Sequence, residues 1–157
     1  MESGAIADSQ LTASSEWDVY HSPKQGRLHT RETVNGRGAW SSLTNNLNQW
    51  LQVDLGKITP VTHVATQGRN SWSPAQMVTK YQLQLSDDGA SFLFYKRQGE
   101  SSDAVLDGNT DHDTVVYHHL NPPITARFLR IKPTAWQTHI SIRIELYTYR
   151  GILVHYK

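Results

Sequence analysis

Eight histidines and two aspartate-rich stretches are the residues of this chain whose types suit catalysis or metal binding. His118 and His119 are adjacent, so on a strand they point to opposite faces and cannot share an ion. The remaining histidines are scattered without ligand spacing. Asp87-Asp88 and Asp111-His112-Asp113 carry oxygens of the kind calcium takes, but such clusters are first of all turn chemistry. No Gly-x-Ser-x-Gly elbow, phosphate-cradling loop or dinucleotide fingerprint is present. The sequence reads as non-catalytic, with no metal site and no cofactor.

Recognition chemistry is better represented. Glu16-Trp17-Asp18-Val19-Tyr20-His21-Ser22-Pro23 gathers large side chains with neither strand nor helix period, and Pro23 stops any strand. Aromatics in such a loop are costly unless they meet a ligand, so Trp17, Asp18, Val19, Tyr20 and His21 are candidate contacts. Gln67-Gly68-Arg69-Asn70-Ser71-Trp72-Ser73-Pro74 is a second loop of this kind. No strand pattern asks for a core tryptophan there, so exposure is expected for Trp72, beside Arg69 and Asn70. Trp40, by contrast, follows Asn35-Gly36-Arg37-Gly38 and reads as structural.

The elements that must position these loops are strands. In Gln49-Trp50-Leu51-Gln52-Val53-Asp54-Leu55-Gly56, Leu51, Val53 and Leu55 alternate with polar residues, the pattern of a half-buried strand. Gly56-Lys57 is expected to end it in a turn. Ile140 to Tyr147 repeats the pattern, with Ile140, Ile142, Ile144 and Leu146 inward and Ser141, Arg143, Glu145 and Tyr147 outward. Val61–Thr66 is a further strand that Pro60 marks as beginning at an edge. Tyr81, Leu83 and Leu85 alternate before an Asp87-Asp88-Gly89 hairpin into Phe92–Lys96. Gly99 to Asp113 reads as a long surface loop. Thr114–Leu120 and Ala126–Lys132 read as two strands parted by Asn121-Pro122-Pro123. Ile6 and Leu11 are expected core pegs near the start, and Trp136 is assigned to the core. No convincing amphipathic helix appears, so the fold class is all-β.

Length and charge fit this picture. A chain of 157 residues suits one domain with a sizeable core, and 38% hydrophobic content argues against disorder. A formal net charge of +1 excludes nucleic-acid binding by bulk electrostatics. No apolar run is long enough to span a membrane, no signal peptide is visible, and there is no cysteine for a disulfide.

Several ordered motifs now combine. They are Met1-Glu2-Ser3-Gly4, Thr12-Ala13-Ser14-Ser15, Arg27-Leu28, Trp50–Gly56 and Thr66-Gln67-Gly68. Gly108-Asn109, Pro122-Pro123-Ile124, Ala126–Ile131, Ala135-Trp136 and Ile140–Leu146 follow. Together they resemble the discoidin family, the coagulation factor V/VIII type C domains, over residues 1–149, with 150–157 as a tail or linker. The resemblance implies an eight-stranded jelly-roll β-sandwich, or distorted barrel, whose ligands meet loops called spikes at one end. Here those are Glu16–Ser22, Arg31–Ser42 and Arg69–Ser73. It also implies an extracellular or cell-surface setting. Many animal members staple their termini with a disulfide whose second cysteine would fall near Tyr149, and its absence removes roughly 3–5 kcal/mol that the core must supply. Neuropilin holds a peptide's C-terminal arginine with an Asp at the position matching Asn45, so that ligand is not expected here.

Three ligand classes follow from the resemblance. As a membrane module, Trp17, Val19, Tyr20 and Trp72 would enter the headgroup boundary of anionic phospholipid while Lys24, Arg37 and Arg69 meet its charge. As a lectin, an aromatic ring would stack on a sugar with Asp18, His21, Asn45, Arg69 and Asn70 as hydrogen-bond partners. Collagen or another matrix protein is the third. Glu16 and Asp18 flank Trp17 and suit hydroxyls better than phosphates, which tilts the expectation towards a galactose-type cell-surface glycan.

Overall fold

Leu51, Val53 and Leu55 are buried, as their alternation predicts, but the strand they open does not stop at Gly56. The computed structural model of the protein describes residues 1, 3–71 and 74–149 in full and the backbone of 151–152. Among them it contains strands β1 (Leu11–Ala13), β2 (Glu32–Thr33), β3 (Gly36–Arg37), β4 (Trp40–Ser41), β5 (Leu51–Gln67) and β6 (Met77–Ser86). These are followed by β7 (Leu93–Phe94), β8 (Leu106–Asp107), β9 (Val116–Gln137), β10 (Ser141–Thr148) and β11 (Gly151–Ile152). The helices among the described residues are short 3-10 turns. The fold is an all-β jelly-roll sandwich.

Its main sheet runs β11-β10-β5-β9-β6-β7, with β1 on β5, β4 on β10 and β8 on β6, while β2 and β3 form a separate hairpin. Two strands, of 17 and 22 residues, carry the architecture. The first part of β5 pairs with β1 and with the end of β9, and its last part pairs with β10 and the start of β9. Both therefore bend from one layer into the other. The bends are irregularities of register: β5 residues 55–58 face Arg127 alone, and β9 residues 120–123 face Thr62 alone. Gly56 adopts a φ of 75°, which a residue with a Cβ resists, and Pro122 and Pro123 lack the N–H a ladder would use. The expected turn at Gly56-Lys57, the strand starting at Pro60 and the break at Asn121-Pro122-Pro123 are thus corners within continuous strands.

Two further expectations change. The Gly99–Asp113 segment holds β8 against β6 and buries Ala104, Leu106 and Asn109, so it is partly core. Asn109 Nδ2 donates to the carbonyls of Thr66 and Thr114 at 3.0 and 2.9 Å, which fastens that segment to β5. Phe92–Lys96 forms only the two-residue β7. Elsewhere expectation and structure agree: Ile6, Leu11 and Trp40 are buried, and Trp136 packs against the core. Trp40 satisfies its Nε1 on the Ser15 carbonyl at 2.9 Å.

The largest departure is β10. Ile140, Ile142, Ile144 and Leu146 enter the core, but Ser141, Arg143 and Glu145, expected to face solvent, are buried as well. Each has a partner. Ser141 Oγ lies 2.6 Å from Ser41 Oγ, and Glu145 Oε1 accepts from the Leu146 amide at 3.0 Å and from the Met1 nitrogen. Arg143 Nε donates to Gly68 O at 2.7 Å, Nη1 to Thr30 O at 2.9 Å, and Nη2 to His112 O at 2.7 Å and Asp113 Oδ1 at 3.0 Å. A guanidinium with its donors filled tolerates burial; one facing unmatched acceptors does not.

Replacing Arg143 by Met leaves those acceptors without their cation and is expected to destabilise the protein by about 3–5 kcal/mol in chemical denaturation. Arg143→Lys keeps the charge but not the planar fork and should fall between. The hydrogen bond from Arg143 holds the Asp113 carboxyl below its ordinary value. Because a depressed carboxylate stabilises the fold only while ionised, this contribution is full above the ordinary value and fades below about pH 4. A denaturation series against pH should show a larger acid loss in the wild type than in Asp113→Asn, since the other depressed carboxylates remain in both.

Candidate functional site

Asp18 organises the first spike. It caps the 3-10 turn Val19–His21, its Oδ1 accepting from the amides of Tyr20 and His21 at 2.9 and 3.1 Å. His21 Nδ1 lies 2.7 Å from the same oxygen, and since a carboxylate only accepts, the proton sits on Nδ1. Partial burial pushes the Asp18 carboxyl up, but the hydrogen bond and charge of His21, with the two amides, outweigh it and hold it low. His21 itself is buried. Of the five candidates on this loop, Asp18 and His21 therefore build it, while Trp17, Val19 and Tyr20 are displayed by it with 54%, 67% and 44% of their surface exposed.

Trp17 is held from behind. Its amide donates to Ser41 O at 2.9 Å, and its ring meets His139 edge-on with centroids 5.4 Å apart. His139 Nε2 donates to Ser42 O at 2.7 Å, which leaves Nδ1 to accept from Asn45 Nδ2 at 3.1 Å. Asn45 Oδ1 accepts from the Ile140 amide at 2.9 Å. Asn45 thus uses both ends of its amide to position His139 under Trp17.

The other candidates cluster around the β2–β3 hairpin. Arg37 lies 5.9 Å from the Tyr20 ring centroid, and its Nη1 bonds Glu32 Oε1 at 3.1 Å. Arg69 Nε donates to Arg37 O at 2.9 Å and Nη1 to Gln76 Oε1 at 3.0 Å. Burial pushes the Arg69 guanidinium down, with Glu32 acting against it. Asn70 accepts from the Glu32 amide at 3.1 Å and donates its own amide to Gly38 O at 3.0 Å. Gly38 has a φ of 70°, and a Cβ there would lie 2.9 Å from the Asn70 Cβ, so only glycine lets the two loops close. Trp72 lies outside the described residues.

Three displayed residues escaped the sequence reading: Val34 at the hairpin turn, and Leu43 and Leu47 beyond β4. The signal was available as isolated apolar residues in polar runs. Lys24 and Arg31 are exposed cations of the same loops. Beside the first spike a cleft of about 320 Å³ is lined by residues including Leu11, Glu16, Val19, Ser22, Pro23 and Lys24. The Ser22 Oγ is buried there without a hydrogen-bond partner. Among the described residues no group of three or more His, Asp or Glu is gathered for a metal, and no helix is long and apolar enough to cross a membrane.

Comparison with known proteins places these observations. The sequence profile of the F5/8 type C domain matches residues 10–146. Pig coagulation factor V is 40% identical over 151 residues, covering 94% of this chain and 7% of that protein. The EGF-like repeat and discoidin I-like domain-containing protein 3 of mouse is 40% identical over 152 residues, covering 93% of this chain and 31% of that one. This chain thus spans a small part of the relatives it matches. Discoidin II of Dictyostelium discoideum superimposes with a TM-score of 0.79 at 27% identity, over 92% of this chain and 56% of that one. A family 32 carbohydrate-binding module of Clostridium perfringens NanJ, solved with galactose, shares the fold at 19% identity and a TM-score of 0.60, over 89% of this chain and 92% of that one.

Asp18→Ala removes a cap and frees two amides. It is expected to cost about 1 kcal/mol and to speed hydrogen exchange at Tyr20 and His21 while the β5 and β9 amides keep their protection. The protection factors of the same two amides, referenced to their intrinsic exchange rates, should fall in the wild type as pH drops below about 4, where the lowered Asp18 carboxyl begins to protonate.

Proposed function

The chain belongs to the F5/8 type C domain family, and from that premise we propose that it is a non-catalytic recognition module of the cell exterior whose loop end docks on membrane presenting anionic phospholipid. One asymmetry carries the reading. The apolar side chains Trp17, Val19, Tyr20, Val34, Leu43 and Leu47 are exposed, whereas Asp18, His21, Asn45 and Asn70 spend hydrogen-bonding capacity on their own chain. A lipid headgroup boundary accepts apolar side chains without asking for directional partners. Tryptophan and tyrosine suit it because one end of each is apolar and the other polar. Lys24, Arg31 and Arg37 are exposed beside them, and each cation near an anionic leaflet contributes about 1 kcal/mol. The Asp18 carboxylate of the acidic flank directs Oδ1 onto the His21 ring and two amides of its own loop.

The glycan reading keeps one specific support. The cleft of about 320 Å³ beside the first spike has the size of a small-molecule site, with an apolar wall in Val19 and Pro23 and polar groups in Glu16, Ser22 and Lys24. A galactose-type sugar would bring hydroxyls to Glu16 and Lys24, which are exposed at the rim of the cleft.

Co-sedimentation with liposomes separates the two. The wild type should sediment with vesicles containing phosphatidylserine and not with phosphatidylcholine alone, less so as salt rises. Trp17→Ala with Val19→Ala should lower the affinity about tenfold or more, from lost apolar burial. Sedimentation that ignores phosphatidylserine or these substitutions overturns the membrane reading. Glycan-array binding lost in Glu16→Ala would then put the sugar reading first.

A further inference from the structure

Away from the loop end, two histidines far apart in sequence meet on the sheet. His63 on β5 and His119 on β9 are cross-strand partners, and their ring centroids lie 4.8 Å apart at an interplanar angle of 51°. We propose that His63 and His119 form a two-histidine chelate for a nitrogen-preferring divalent transition ion such as Cu2+, Ni2+ or Zn2+. The site is distinct from the spikes and independent of the membrane reading.

Three observations carry the proposal. The first is the separation. An ion about 2.0–2.1 Å from an imidazole nitrogen lies about 3.2 Å from that ring's centre. Centroids 4.8 Å apart would subtend about 97° at an ion to which each ring turns one nitrogen, between the square-planar and tetrahedral values. The second is the protonation of His63. Thr62 Oγ1 donates to the Tyr147 carbonyl at 3.2 Å, and a hydroxyl has only one proton to give. At its 3.0 Å contact with His63 Nδ1 the same oxygen must then accept. Nδ1 carries the proton, and Nε2 keeps its lone pair. A metal-binding histidine is commonly prepared in this way, its second nitrogen donating to a fixed oxygen that sets tautomer and orientation. The third is preorganisation. Thr62 is buried and lies opposite the β9 bulge. Both ligands stand on continuous strands, so little order remains to be imposed when the ion binds.

The spacing of histidines along the chain gave no hint, because the pairing is made by sheet register. His118, one residue away, lies on the other side of the strand against Tyr81, with its Nε2 on Asp107 O at 2.6 Å. It serves as the internal control.

The test titrates untagged protein with CuCl2, NiCl2 and ZnCl2 by isothermal calorimetry at about pH 7.5, where imidazole is neutral. The expected result is one ion per chain with micromolar affinity, weakened at least tenfold in His63→Ala and in His119→Ala and unchanged in His118→Ala. Thr62→Val should weaken it several-fold with an unaltered circular dichroism spectrum. Substoichiometric Cu2+ should broaden amide resonances around His63 and His119 selectively. No uptake, or full affinity in either of the two alanine variants, overturns the site. Unchanged affinity in Thr62→Val overturns the role given to that hydroxyl.

Discussion

One buried cation ties together the connections behind the second and third spikes. Arg143 stands in the middle of β10, and its guanidinium reaches Gly68, Thr30, His112 and Asp113. These acceptors belong to three connections that have no strand pairing of their own at those points. Taking a guanidinium out of water costs several kcal/mol unless its donors are filled. Here the cost and its compensation together act as a constraint, since any movement of a loop would strand the charge. Burial pushes the Arg143 guanidinium down and Asp113 pushes it back up. The spike residues sit next to the anchor points: Arg69 and Asn70 follow Gly68, and Glu32 comes two residues after Thr30. Their contacts with Arg37 and Gly38 extend the same fixed frame outward.

Sequence patterns revealed the parts of this fold that depend on apolar burial and hid those that depend on polar burial. Ile140, Ile142, Ile144 and Leu146 announce β10 by period alone. Ser141, Arg143 and Glu145 between them look like a solvent face, because nothing in a sequence separates a polar residue bonded to water from one bonded to a distant carbonyl. The same holds at the corners. Gly56 and Asn121-Pro122-Pro123 are strand breakers in a flat sheet, but a sandwich needs long strands that change layer. Left-handed backbone and missing N–H groups are how a strand turns without ending. Family motifs supplied the jelly roll that local patterns could not assemble.

At the loop end the division is similar. Trp17, Val19 and Tyr20 were legible because large side chains without period in a proline-stopped loop have few structural uses. Asp18, His21, Asn45 and Asn70 looked equally functional, and their contacts explain why they are not simply available. Asn45 meets Ile140 and His139, and Asn70 meets the Glu32 amide, all over sequence separations no motif spans. A polar residue near a site is as often the bracket as the hand.

That distinction bears on what the loop end is suited to touch. Hydrogen-bond recognition of a sugar needs polar atoms held ready and unspent, and each one already committed must be released at a cost before it can serve. On the proposed membrane reading, a surface where Asn45, Asn70 and His21 are committed and Trp17 is held from behind by His139 and Ser41 gains from contact with a soft boundary instead. Rigid loops also lose little conformational freedom on docking, so a larger share of the buried apolar area appears as affinity. On that reading the Arg143 frame would serve docking without touching the ligand, by fixing the connections at Thr30 and Gly68 from which the second and third spikes extend.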